Sequence, residues 1–249
     1  MDREPPLVTE ARRICDEAAT RGIEVRLLGG IAIWLRSDDR ARAQMRRDYA
    51  DIDFVTLRKQ SKPLRELLEG LGYEPNKMFN ALQSDRLYYN AADGSYHLDI
   101  FVDKFVMSHK LDLAPRIQTE PLVLPAAELL LTKLQIAELN EKDARDTAML
   151  LLDHELTDRD GPGALNVAYV ADVCAQDWGF YTTLTDNLTK TQTLLEGILS
   201  DPEQRQIVDT RAGALLARLE VAPKSRGWRR RAKIGRRMRW YEVPDEAAR

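Results

Sequence analysis

The sequence predicts an α+β fold, with a mixed sheet flanked by helices over residues 1–123, an all-α domain over 124–223 and a basic segment over 224–249 that continues in helix. Three observations lead there. The short β-rich runs "IEVRLL" (23–28), "DIDFVTL" (51–57), "RLYYN" (86–90) and "SYHLDIFV" (95–102) all fall before residue 103. From Pro125 onward apolar residues recur at helical spacing and no run reads as a strand. Nine Lys/Arg and no acid lie within "KSRGWRRRAKIGRRMRW" (224–240), and removing those nine from the net charge of −3 leaves the remainder at about −12.

Each element follows from local signals. Residues 9–21 carry Ile14 and Ala18 on one stripe and end at Gly22, as a helix does. After the strand 23–28, Gly29 and Gly30 break the apolar run and "IAIWLRS" (31–37) resumes as a helix, followed by a polar loop or frayed helix over 38–48. Ser61, Pro63, Gly70 and Gly72 frame a helix near 62–70. "AADG" between the runs 86–90 and 95–102 makes them a hairpin. "PAAELLLTKLQIAELN" and "KDARDTAMLLLDHEL" are helical, "TDRDGPG" (157–163) is a break, and 165–176, 178–199 and 202–219 are three further helices.

Composition narrows the function classes. At 249 residues, with 44% hydrophobic and 31% charged, the chain has the make-up of a globular protein with a substantial core. No stretch approaches the roughly 18–20 apolar residues of a membrane span. The opening "MDREPPLVTEARR" lacks the apolar centre of a signal peptide, so a cytoplasmic location is expected. Cys15 and Cys174 lie far apart with no metal-ligand spacing, and they read as small buried hydrophobes.

The chemistry concentrates in carboxylates. Residues two apart in a strand share a face, so Asp51 and Asp53 project together while Ile52 and Phe54 face the other way. Two adjacent carboxylates repel unless a cation lies between them, and Mg²⁺, or Mn²⁺ in its place, is a hard ion suited to oxygen ligands. In 95–102, Leu98, Ile100 and Val102 would be buried, leaving His97, Asp99, Phe101 and Asp103 opposite; beside the 51–57 strand, Asp99 becomes a third ligand. Three converging carboxylates could hold two metal ions. An isolated Asp-x-Asp is more often a strand edge or a turn. The order of strand, Gly-Gly, helix, Asp-x-Asp strand and later Asp strand is what distinguishes this chain.

That order resembles the nucleotidyltransferases of the DNA polymerase β superfamily, at Gly29-Gly30, Asp51-Ile52-Asp53 and Asp99 of "HLDIF". The 20 residues between Gly30 and Asp51 are about twice the spacing in many members. Together with Arg47 shortly before the Asp-x-Asp, this looks like the branch holding the AbiEii-type toxins of abortive-infection systems and their bacterial relatives. "LLLTKLQIAELNEKDARDTAMLL" also resembles that branch, at Lys133, Lys142, Asp143, Arg145 and Asp146. The resemblance covers roughly residues 25–152. It implies a polymerase-β-like nucleotidyltransferase domain, metal binding by Asp51, Asp53 and Asp99, and nucleotide binding by Gly29, Gly30, Lys133 and Asp146. Lys133 would touch phosphates or the base, and Asp146 would brace the site. An antitoxin protein is the partner such a toxin implies.

From the residues alone, glycines lacking a Cβ let the backbone approach a triphosphate, and the start of the following helix offers free N–H groups. Lys133 among Leu129, Leu130, Leu131, Leu134 and Ile136 could equally snorkel to the surface, and "KDARD" could be ordinary pairing on a helix surface. The chain has no Gly-x-x-x-x-Gly-Lys-Ser/Thr loop, no Gly-x-Ser-x-Gly elbow and no His-Glu-x-x-His. His97 reads as structural. The tail 224–240 offers arginines for RNA phosphates with Trp228, Trp240 and Tyr241 for stacking; alternatively it is a helix that packs Trp228, Ile234, Met238 and Tyr241 on the body, or one that touches a membrane.

The expected reaction is Mg²⁺-dependent transfer of a nucleoside monophosphate from an NTP to an acceptor: a tRNA end, a small molecule or a protein. Asp99 would complete the site and take the acceptor's proton. The rival readings are a module that binds nucleotides or proteins without catalysis, and transfer of the γ-phosphate.

Overall fold

The computed structural model describes residues 4–44 and 48–243. Arg47 lies outside them. The chain opens with α1 (Pro6–Thr20), begun by a proline and burying Val8, Ala11, Ile14, Cys15 and Ala18 on one stripe. Gly22 then turns the chain at φ +66° into β1 (Val25–Leu28). Helix α2 (Gly29–Arg36) starts at the glycine pair itself, two residues earlier than its apolar run, and α3 (Asp39–Gln44) follows as the short helix of the polar stretch. Next come β2 (Asp51–Thr56), α4 (Ser61–Gly70), β3 (Glu74–Pro75) and α5 (Lys77–Leu82). Strands β4 (Arg86–Asn90) and β5 (His97–Val102) form the expected hairpin.

The five strands assemble in the order β1-β2-β5-β4-β3. Only β2 and β5 run parallel; the other neighbours are antiparallel. Pro75 sits on the edge strand, where a missing N–H costs no ladder bond. A second hairpin, β6 (Lys104–Val106) with β7 (Lys110–Asp112), leaves the end of β5 after Asp103, which adopts φ 64°.

The remainder is helical: α6 (Ala126–Leu134) and α7 (Glu141–Asp153), then α8 (Val167–Gln176), α9 (Trp178–Ile198), α10 (Pro202–Val221) and α11 (Arg226–Ile234). One expectation is corrected here. Residues 155–157 and 164–166 pair as two parallel three-residue strands across the "TDRDGPG" turn, segments too short to show any alternation.

The basic segment is helical only to Ile234, after which a 3₁₀ turn (Gly235–Arg237) leads into extended chain. Ile234 and Met238 are exposed, so neither packs on the body as an amphipathic reading of the tail requires. One cluster of buried apolar side chains runs from Val8 to Leu219, joining the sheet to the helices that follow it. Both cysteines are free and buried. No helix among the described residues is long and apolar enough to cross a membrane.

Candidate active site

The sheet register builds the site. Asp53 pairs with Leu28 on one side and Asp99 on the other, Asp99 pairs with Tyr88, and Asp51 pairs with His97. Paired residues share a face, so these side chains form adjacent rows on one side of the sheet. That side is the floor of a cleft of about 1000 Å³, whose wall carries Gly29, Gly30, Lys133, Asn140 and Asp143. The expected site residues are therefore brought together, except Asp146, which is fully buried behind Lys133.

Gly29 has an immediate structural task. Its φ is +69°, and a Cβ there would lie 1.9 Å from an Asp53 carboxylate oxygen. Only glycine lets the first turn of α2 press against that carboxyl group. The backbone approach expected for a phosphate is thus made first toward Asp53.

Asp53 is the electrostatic centre. Burial, then Asp51 and Asp99, push its pKa well above the usual carboxylate value, while Lys133 and Arg86 pull it down. Asp99 is buried, and its two oxygens receive Arg86 side on, with Arg86 Nε donating at 2.7 Å. Arg86 also lies 5.1 Å from the centroid of the Phe101 ring. In β5 Leu98, Ile100 and Val102 are buried as expected, and on the cleft face Phe101 packs against Phe105 of β6, with centroids 4.5 Å apart. His97, in the cleft lining, stacks on Tyr88 with centroids 4.8 Å apart.

Lys133 does not snorkel to the surface. Its ammonium donates to Asp143 and Asp146, each at 2.9 Å, across the crossing of α6 and α7. Burial alone would lower its pKa, but the two carboxylates outweigh burial and raise it. "KDARD" is likewise not a surface pair: Asp143 and Asp146 are buried, and the side chain of Asn140 caps α7 by accepting from the Asp143 N–H at 2.9 Å.

A divalent cation fits this donor set at Asp51 and Asp53, hard oxygens whose mutual repulsion it would relieve. Asp99 is committed to Arg86, and among the described residues no group of three His, Cys, Asp or Glu side chains is placed to hold a metal. Arg86 is the site residue the sequence did not disclose. Its only signal is period-2 alternation with Tyr88, which points to Asp99 once the hairpin register is known.

No family model and no curated protein matches the chain. Among solved structures it is similar to antibiotic-resistance factor ANT(2'')-Ia, at 15% identity over 86% of this chain and 95% of that one, with a TM-score of 0.36. It is also similar to an antigenic nucleotidyltransferase-like protein from Paracoccidioides brasiliensis, at 14% identity over 88% of this chain and 94% of that one, with a TM-score of 0.42.

Proposed function

We propose that the cleft carries out Mg²⁺-dependent nucleotidyl transfer, moving a nucleoside monophosphate from an NTP to a hydroxyl or similar nucleophile and releasing pyrophosphate. The observation that carries this reading is the packing of Gly29 on Asp53, which sets the start of a helix directly beside a repelling carboxylate pair. A phosphate chain and its cation need those two features side by side. A cation held by Asp51 and Asp53 would offset charge on the phosphates and the leaving pyrophosphate.

The chain's own residues do the remainder. The backbone N–H groups at Gly29 and Gly30 donate to the triphosphate oxygens, and Lys133, fixed by Asp143 and Asp146, adds positive charge in the same cleft. The acceptor oxygen bonds to the α-phosphorus as the bond to the β-phosphate oxygen breaks. The acceptor's proton passes to Asp99, which must first part from Arg86. The Arg86–Asp99 pair favours a second reading, a module that binds nucleotide without transfer.

The test is thermal shift with each NTP, with and without Mg²⁺, on the wild type and Asp51→Asn/Asp53→Asn. A ligand at about 100 times its Kd stabilises by about 2.7 kcal/mol, or several degrees. A Mg²⁺-dependent shift lost in the double variant supports the reading; no shift with any NTP overturns it. Label at the α- or γ-phosphate then distinguishes nucleotidyl from phosphoryl transfer, and label reaching no acceptor favours the binding module.

A further inference from the structure

Beyond α11 the described chain stays on the body as far as Val243. Gly235 takes φ +59°, Met238 is extended, and the segment 238–243 crosses α9 at Trp240 and reaches the cleft at Tyr241. This strap is fastened at several points. Arg231 donates to the carbonyls of Gly235 at 2.7 Å and Met238 at 2.9 Å. Arg236 pairs with Asp186 at 2.8 Å and lies over the Trp240 ring at 5.0 Å. The Trp240 indole N–H donates to Thr183 Oγ1 at 3.0 Å, and His109 Nε2 meets the same oxygen at 2.8 Å.

Two further features show a seat shaped for the strap. A Cβ on Gly179 would lie 2.6 Å from the Trp240 carbonyl oxygen, so α9 presents a bare backbone where the strap crosses. The Glu242 N–H donates to the Ser108 carbonyl at 2.9 Å, and the Ser108 hydroxyl accepts from the Ala137 N–H at 3.0 Å. The strap, the β6–β7 hairpin and the loop after α6 are thereby tied together around Ser108. Met238 and Val243 remain exposed, so the strap adds little to the core. What it adds is Tyr241, in the wall of the cleft together with Phe105, Met107 and Ile136.

The cleft thus has two chemistries, a floor of carboxylates beside Gly29 and Lys133, and an aromatic and apolar wall gathered around Ser108. An NTP has the same division between its phosphates and its flat base. We propose that the strap forms the nucleobase subsite and that Tyr241 recognises the base by stacking, an inference that rests on the nucleotide reading above. Base–aromatic stacking tolerates every base because each has a π-face, so Tyr241 supplies affinity more than choice among bases.

Calorimetry on the full chain tests this, with each Mg-NTP and with Mg-tripolyphosphate, which has the phosphates and no base. Tyr241→Ala should weaken NTP binding by about tenfold to a hundredfold. It should leave tripolyphosphate binding unchanged, and Tyr241→Phe should bind NTP within about threefold of wild type. If Tyr241→Ala fails to fold, Tyr241→Leu keeps the bulk without the π-face and is read the same way. Equal NTP affinity in the wild type and the variant overturns the subsite while the nucleotide reading stands. Parallel weakening of tripolyphosphate also overturns it, showing a purely structural role. Wild-type protein that binds neither ligand overturns both readings.

Discussion

Two partly buried ionic clusters in this molecule use the same ingredients to opposite ends. In the cleft, Asp51, Asp53, Asp99 and Asp143 lie with Arg86 and Lys133, Asp146 is buried behind Lys133, and carboxylates border an open cavity. On the helical side, Arg116 bridges Glu128 and Asp160, holding the latter through two bonds of 2.9 and 2.8 Å, and its guanidinium lies 4.4 Å from the Tyr169 ring centroid. Burial raises the pKa of Glu128, while Arg116 opposes that rise. A closed network of this kind holds loops in place. Under the proposed function, the carboxylates beside the void are where a cation would be held.

Substitutions can break that contrast. The largest effect is expected from Asp51→Asn/Asp53→Asn, which should reduce nucleotidyl transfer to background yet leave the protein folded. Because the folded-state pKa of Asp53 is raised, its charge costs stability as pH rises through that pKa, so the metal-free double variant should melt above wild type at pH 7. Arg116→Ala should do the reverse. Stranding Glu128 should cost about 3–5 kcal/mol, on the order of 10 °C in Tm, with the NTP-induced shift of the folded protein preserved. Should Arg116→Ala remove nucleotide binding, or the double variant unfold, the division between working and structural clusters fails.

Gly29→Ala comes next, because it strikes where fold and site meet. A side chain at φ +69°, with its Cβ against the Asp53 carboxyl, should cost about 1–3 kcal/mol by chemical denaturation and weaken Mg-NTP binding together with stability. A fully stable Gly29→Ala that binds nucleotide normally would contradict the packing on which the proposed mechanism stands.

What was legible in the sequence follows from how locally each feature is encoded. Asp51 and Asp53 could be placed on one face because strand alternation has a period of two and needs no partner, whereas Asp99 joined them only if its strand lay beside theirs. The helix at the glycine pair was visible because the pair itself breaks the apolar run. Arg86 was hidden because its link to Asp99 depends on hairpin register; Asp143 and Asp146 were named with Lys133 only through the resemblance, because their pairing with it depends on how α6 crosses α7. The alternation of β5 placed Leu98, Ile100 and Val102 in the core correctly, but the cover that Phe105 of β6 gives Phe101 depends on tertiary packing. Trp240 and Tyr241 stood out in the sequence, but the path of the strap was not legible because backbone bonds, the Trp240 indole, Arg231 and the Arg236–Asp186 pair hold it, and none of these makes a pattern.

The smallest effect lies in a buried titratable group outside both clusters. His154 caps the end of α7 with Nδ1 3.0 Å from the Leu150 carbonyl, and burial, aided by Arg36, pushes its pKa down to about 4 from an ordinary 6.5. A depressed pKa means that the unfolded chain takes up the proton first. The stability is therefore full above pH 6.5 and is lost as pH falls toward 4. Between pH 7 and 5.5, wild type should lose about 1 kcal/mol more than His154→Gln, roughly 2–4 °C in Tm. The neighbouring Asp153, pushed up to about 6 by burial and then Asp38, works in the opposite sense, but it is present in both proteins and cancels in the difference. NTP affinity should follow the carboxylates of the cleft and be the same in the two proteins across this range. A shift in that affinity in His154→Gln would show that the end of α7 belongs to the site after all.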